Sequence, residues 1–152
     1  MNGEAVQQRA RQLQIICGGL IMGVLTFSAV TVFLVHGNGM NVDVNVIVPA
    51  ALLVGSLMNI VTIVAVAGSV GKRELPSTAT EDDYLNLYQV ASIIRWAGLE
   101  GAAFMNIVAY LLSAQWWSGI VPAICLLWMA ATFPTSDKLN DWLRAKDRDR
   151  TF

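Results

Sequence analysis

Charged residues are scarce in this sequence: Asp, Glu, Lys and Arg make up 14% of its 152 residues, against roughly 25% in soluble domains. Hydrophobic residues reach 55%, and the mean hydropathy is +0.54. A soluble domain of this size would leave much of that apolar surface in water, whereas a lipid bilayer would cover it. The composition therefore excludes an ordinary soluble domain and predicts an integral membrane protein. The net charge of −1 gives no basis for nucleic-acid binding.

Metal-binding and catalytic residue types are also scarce. Cys17 and Cys125, the two cysteines, each lie in an apolar segment, where a thiol behaves as a small hydrophobic group, and two are too few for a disulfide framework. The single histidine, His36, has only Asp43 near it in the sequence, which makes a poor metal site. The sequence has no nucleotide-binding loop and no nucleophile–base constellation. We therefore expect no cofactor, no metal and no enzymatic activity.

Four long apolar segments are present instead. A membrane-spanning helix needs about 20 mostly apolar residues, and unbroken runs of this length fit neither an ordinary sheet nor a membrane barrel. The predicted fold is an all-α integral membrane protein, a four-helix transmembrane bundle in one domain over residues 1–152, with a short C-terminal amphipathic cytoplasmic helix. The predicted spans are 15–35, 44–70, 90–112 and 116–133, with a cytoplasmic linker at 71–83 and a cytoplasmic tail at 134–152.

Basic residues indicate the orientation of these spans. Nine of the ten Lys and Arg residues lie in the N-terminal segment, at Lys72–Arg73 or in the tail, and the connections 37–43 and 113–118 have none. Because short cytoplasmic segments concentrate Lys and Arg, we expect a multi-pass protein of the cell inner membrane with both termini in the cytoplasm. Its expected partners are the lipid bilayer and either further copies of the chain, as a homo-oligomer, or another membrane protein.

Two helix starts are predicted on the cytoplasmic side. Thr80 precedes three acidic residues, a pattern typical of an N-cap and first helical turn, so the third helix is predicted to begin near Glu81. A second start at 134–137 precedes a segment in which Leu139, Trp142 and Leu143 share one face. That amphipathic helix either lies on the membrane surface or packs on the linker.

The two halves of the sequence resemble each other. Gly19–Gly23 in span one matches Gly98–Ala102 in span three, and the tetrapeptide Ile-Val-Pro-Ala opens span two at Ile47 and span four at Ile120. The matches indicate a duplication, which would give two parallel helical hairpins. Small residues let helices approach closely, so spans one and three are expected to meet, or the chain to dimerise, through them; lipid-facing glycines are the alternative. The predicted packing residues are Gly19, Gly23, Gly98 and Ala102.

Arg95 and Glu100 are the charged residues inside the predicted spans. Arg95 is near the cytoplasmic edge and can extend to water, whereas Glu100 is near the middle of span three, where an ionised carboxylate is costly unless paired. The two side chains are about 140° apart around the helix, which favours a partner for Glu100 on another helix or subunit. Glu100 either takes up a proton or cation or fixes helix packing. The residues predicted for ion or proton handling are Glu100, Arg95, Asn106 and Asn59.

Part of the sequence resembles a known family. The resemblance is found in three motifs: Tyr88-Gln-x-x-x-Ile-Ile-Arg-x-Ala-x-Leu-Glu-Gly-Ala-Ala-Phe104, Ala109-Tyr-Leu-Leu112 and Phe133-Pro-Thr-x-x-Lys-Leu139. Over residues 80–145 the chain is similar to uncharacterised small four-span bacterial membrane proteins with an Ile-Ile-Arg…Glu-Gly core, a family that implies the topology and no activity. A weaker resemblance is to the proteolipid c subunits of rotary ATPases, whose membrane carboxylate carries an ion. That carboxylate lies on the second helix of a hairpin, whereas Glu100 lies on the first.

Two functions follow from these observations. The first is a non-enzymatic oligomeric scaffold or accessory subunit of the membrane, which fits the scarcity of catalytic residue types and the short outer connections. The second is proteolipid-like handling of a proton or cation through the carboxylate of Glu100. The position of Glu100 relative to water or to an oligomer interface would discriminate between them.

Overall fold

All the regular secondary structure in the described part of the protein is helical. The structure is a computed structural model that describes residues 3–37, 45–76 and 78–150, and these ranges contain no strand. The predicted all-α class is therefore confirmed. Asp43, the first residue of the predicted second span and the end of the tail lie outside the described residues. The helices are α1 (Gly3–Gly37), α2 (Ile47–Lys72), α3 (Glu81–Ser113), a 3-10 turn (Trp116–Gly119), α4 (Ile120–Ala131) and α5 (Ser136–Arg150).

Two of these helices, α1 from Val6 onward and α2, are long and apolar enough to cross a membrane. A third candidate arises if the segment Trp116–Ala131 and α5, which meet at a bend of 72°, form one broken span. α3 is not among the candidates, because Arg95, Glu100 and Asn106 lower the hydropathy of its apolar stretch. Length and composition thus support a membrane protein with two or three spanning helices.

α3 forms the centre of the bundle. It is the helix that packs against α1, α2 and α4, and its fully buried side chains include Trp96, Leu99 and Ala103. A hydrogen bond from Trp96 Nε1 to Thr132 Oγ1 (3.3 Å) joins α3 to the end of α4. α3, whose polar residues lower its hydropathy, is therefore the helix that makes the most contacts with the other helices.

α2 packs along α3 and makes only marginal contact with α1. The first predicted hairpin, α1 with α2, is thus not a packed pair of helices. The reason lies at Gly98 of α3, where the missing side chain leaves a notch that holds the side chain of Ile63. Beside it, Asn59 Nδ2 donates a 3.2 Å hydrogen bond to the carbonyl oxygen of Gly98, so α2 and α3 come close enough to join side chain to backbone.

α5 folds back onto the N-terminal turns of α1 and α3. Its Leu139 and Leu143 are buried in a cluster with Val6, Ala10, Tyr84 and Leu85, and Leu75 and Ala79 of the linker pack on the same cluster. The rings of Tyr88 and Trp142 meet edge to face at a centroid distance of 5.3 Å. Two positions were predicted for this amphipathic helix, and the structure shows the one in which it packs on the linker.

The predicted helix starts are confirmed. Thr80 caps α3 in a reciprocal box: the amide of Thr80 donates to Asp83 Oδ2 (2.8 Å), and the amide of Asp83 donates to Thr80 Oγ1 (3.4 Å). Pro49 and Pro122 are each the third residue of a helix and are buried, in a first turn that requires no amide donor from proline. The repeated Ile-Val-Pro-Ala motif thus serves the same structural purpose in both halves.

Candidate functional site

Glu100 lies at the contact between α3 and α1, and its side chain is half-buried. Its Oε1 faces the backbone of Gly23, where an ideal Cβ would lie 3.4 Å from that oxygen. A side chain at position 23 larger than a methyl group would therefore meet the carboxylate. One helical turn further along both helices, Phe27 and Phe104 meet edge to face at 5.2 Å, so an aromatic pair lies beside the carboxylate.

α1 and α3 run parallel at this site. Arg9 Nη1 donates to Gln89 Oε1 at 2.8 Å, Glu100 faces Gly23, and Phe27 meets Phe104. Each contact joins residues separated by about the same number of positions, and only helices running in the same direction can keep such a constant offset. This offset is also close to the one that relates the two halves of the sequence, so corresponding residues of the two halves lie at similar heights in the bundle.

Glu100 has no hydrogen bond and no ion pair with any residue that the structure describes. Arg95, the nearest charged residue along α3, does not reach it, as the helical spacing predicts. On the same helix, Tyr88 lies about two turns before Arg95.

The two asparagines predicted to assist Glu100 are bound elsewhere. Asn59 donates to the carbonyl of Gly98, on the side of α3 that faces α2. Asn106 Nδ2 donates to the carbonyl oxygen of Ala102 at 3.0 Å, and its buried Oδ1 has no partner. The four residues predicted for ion handling therefore do not converge on one point, and the described residues hold no cluster of metal-ligand side chains.

The four predicted packing residues do not form one contact between α1 and α3. Gly23 accommodates Glu100, whereas Gly98 accommodates Ile63 of α2. Ala102 is fully buried. Nothing lies within 4 Å of a Cβ built at Gly19, so this glycine occupies an open position.

A cavity that the sequence reasoning missed lies between α1, α3 and α4. Its volume is about 400 Å³, within the range of ligand pockets in proteins. The signal in the sequence was the pair Ser28 and Thr31, which are three residues apart and so share a face of α1. The cavity, called the α1/α4 cavity below, is lined by Ser28, Thr31, Tyr110, Trp116, Gly119 and Pro122, among others.

Comparisons with protein-family models, with curated proteins and with solved structures found no match to this chain. The resemblance to small four-span bacterial membrane proteins therefore stays a prediction.

Proposed function

We propose that this chain is a four-span protein of the inner membrane, with both termini in the cytoplasm, that acts as a non-catalytic oligomeric scaffold or accessory subunit. The spans are α1, α2, α3 and the 3-10 turn together with α4. α3 qualifies despite its polar residues because α1, α2 and α4 surround it. Polar side chains inside a membrane protein normally face other helices in this way.

The fourth span is short but sufficient. The 3-10 turn and α4 cover Trp116–Ala131, about 26 Å at the rise of the two helix types, against roughly 30 Å of hydrocarbon. Trp116 at its start is 75% exposed, as expected of an aromatic residue at the membrane interface. The strongly charged α5 then turns away at 72° and packs on the cytoplasmic ends of α1 and α3.

One observation carries the proposed role: Glu100 is half-buried, lies within α3 and has no partner among the described residues. In the proposed bundle this position is near the middle of a span. Lipid chains offer a carboxyl group no hydrogen bond, and a charged side chain at this depth costs roughly 3 kcal/mol. A donor on a neighbouring chain would remove that cost. The carboxylate beside Gly23 is therefore the point at which a second copy, or a partner membrane protein, makes its polar contact.

The test is the oligomeric state of purified protein in lipid nanodiscs or mild detergent, measured by mass photometry. Glu100→Leu removes both charge and hydrogen bonding, Glu100→Gln retains hydrogen bonding, and Glu74→Gln is the control because Glu74 is exposed in the linker. The wild-type and Glu74→Gln oligomers should be the most stable, Glu100→Gln should be less stable, and Glu100→Leu should be the least stable. Identical oligomers, or monomers, in all four proteins would overturn the proposed role.

The same observation favours a second candidate function, the uptake of a proton or cation by Glu100, because the carboxylate has no intrachain cation to hold it in one state. Proton flux into liposomes containing wild type or Glu100→Gln tests this candidate. Equal flux in the two proteins excludes it. A loss of flux with an unchanged oligomer would favour it over the scaffold.

Orientation is testable with single cysteines. Cys17 and Cys125 are fully buried, so they give little background with a bulky thiol reagent. Val46→Cys and Thr78→Cys place thiols at exposed positions on opposite sides of the proposed membrane. A membrane-impermeant maleimide added to intact cells should label position 46 and leave position 78 unlabelled until the cells are opened. The reverse pattern would refute the proposed orientation.

A further inference from the structure

The α1/α4 cavity contains hydroxyl groups without partners. Thr31 is 1% exposed, and its Oγ1 is buried with no hydrogen-bond partner. Ser28 and Tyr110 line the same cavity, and neither side-chain hydroxyl forms a hydrogen bond with any described residue. An unpaired hydroxyl in an apolar environment costs free energy that a bound acceptor would recover.

Several hydroxyl groups elsewhere in the bundle are paired locally. Thr62 donates to the carbonyl of Met58, and Ser113 donates to that of Ala109. Back-bonding of this kind is the usual solution for Ser and Thr inside a helix. Thr31 and Ser28 lack such a back-bond, so their hydroxyls and that of Tyr110 are available to bind a ligand.

The rest of the cavity fits an uncharged amphiphile. Its lining includes no charged side chain among the described residues, and apolar groups such as Val32, Ile107 and Leu126 form much of its wall. Thr31 is six residues before the end of α1 at Gly37, about 9 Å along the helix. Trp116, at the mouth of the cavity, is largely exposed. The hydroxyls therefore lie just inside the membrane boundary that Trp116 would mark.

We propose that the α1/α4 cavity binds one glycerophospholipid of the leaflet opposite the termini. One acyl chain fills the apolar part, and an ester carbonyl accepts hydrogen bonds from Thr31 and Tyr110. Ester carbonyls lie at the boundary between the head groups and the hydrocarbon, which is the depth of these hydroxyls. The proposal depends on the membrane placement of the proposed function, but not on an oligomer or on Glu100.

The test uses nanodiscs containing a phospholipid with a photoreactive diazirine in one acyl chain, followed by mass-spectrometric mapping of the label. Gly119→Phe is designed to obstruct the cavity, because Gly119 lines it and a Cβ there meets nothing within 4 Å. Gly19→Phe is the matched control, since Gly19 is equally open but lies away from the cavity. Thr31→Val removes the buried hydroxyl with little change in shape.

Wild type and Gly19→Phe should carry the label on peptides containing Tyr110 and Trp116, and Gly119→Phe should lose it. Thr31→Val should be labelled about five- to tenfold less, the effect of one hydrogen bond. Wild type with an ether-linked analogue of the lipid, which loses the hydrogen bonds from both Thr31 and Tyr110, should be labelled still less. Equal labelling of Gly119→Phe and Gly19→Phe would overturn the site. Equal labelling by ester and ether lipids would overturn the role of the carbonyl. Maleimide labelling of positions 46 and 78 in intact and opened cells, as described above, tests the membrane placement separately.

Discussion

The Oε1 atom of Glu100 and the backbone of Gly23 are direct neighbours, with 3.4 Å between that oxygen and the position of an ideal Cβ on Gly23. A side chain at position 23 larger than a methyl group would therefore meet the carboxylate. The position of the carboxylate is in this way coupled to the packing of α1 on α3.

Replacement of Gly23 by Val should therefore displace the carboxylate of Glu100 and destabilise the protein by about 1–3 kcal/mol, the usual cost of overpacking. Gly19→Val is the control, because its side chain enters open space. Thermal unfolding in detergent followed by circular dichroism measures both. Equal stabilities for the two variants would contradict the contact, whereas recovery in the Gly23→Val, Glu100→Ala double variant would support it.

Gly98 is the second position at which a missing side chain sets a helix contact. A methyl group there would overlap the side chain of Ile63, so Gly98→Ala should cost about 1–3 kcal/mol, despite the better helix propensity of alanine. Ile63→Ala in the same chain should recover part of that loss. Gly68→Ala, at an open position on α2, should be neutral or stabilising. A Gly98→Ala variant as stable as wild type would contradict the close approach of α2 and α3.

The docking of α5 depends on Leu139, which is 2% exposed. Leu139→Ala removes buried side-chain volume, a change that costs about 2–5 kcal/mol at a well-packed site, and α5 should detach more often. Limited trypsin digestion reports this, since Arg144 is exposed on α5 and is cleaved fastest when the helix opens. Asp141→Ala, at an exposed position of the same helix, should be cleaved at the wild-type rate. Faster cleavage of both variants would contradict the specific role of Leu139.

The start of α3 should depend on pH. Hydrogen bonds from the backbone amide and the hydroxyl of Thr80 lower the pKa of Asp83. The stabilisation is therefore fully present above the unfolded-state pKa of roughly 3.9 and is lost as the pH falls through the lower folded-state value. Pepsin should cleave near the linker increasingly as the pH drops below about 4, and Asp83→Asn should remove that dependence. Asp82→Asn, which leaves the capping box intact, should retain it.

The helices themselves could be predicted from the sequence. The predicted span 90–112 lies within α3, the span 116–133 corresponds to the 3-10 turn and α4, and Thr80 is the cap of α3. These features depend on local signals: apolar length, capping residues and proline in a first turn. The helices could be predicted because each of these signals determines the structure of residues close to it in the sequence.

The contacts between helices could not be predicted in the same way. The resemblance of the halves predicted two hairpins, but α2 packs on α3 because Ile63 fits at Gly98. The helix that packs against a glycine is determined by how the two helices are rotated about their own axes. A repeated motif does not predict that rotation. The hydroxyls of the α1/α4 cavity were missed for a related reason, because Ser28, Thr31 and Tyr110 come together only when α1 lies beside α3.

The packing of α2 on α3 has a consequence for the order of assembly. α2 is synthesised before α3 and has only marginal contact with α1. The amide of Asn59 therefore has no carbonyl acceptor until the turn containing Gly98 has formed. In the proposed membrane arrangement, we therefore expect α1 and α2 to insert without packing on each other and the bundle to form when α3 joins them.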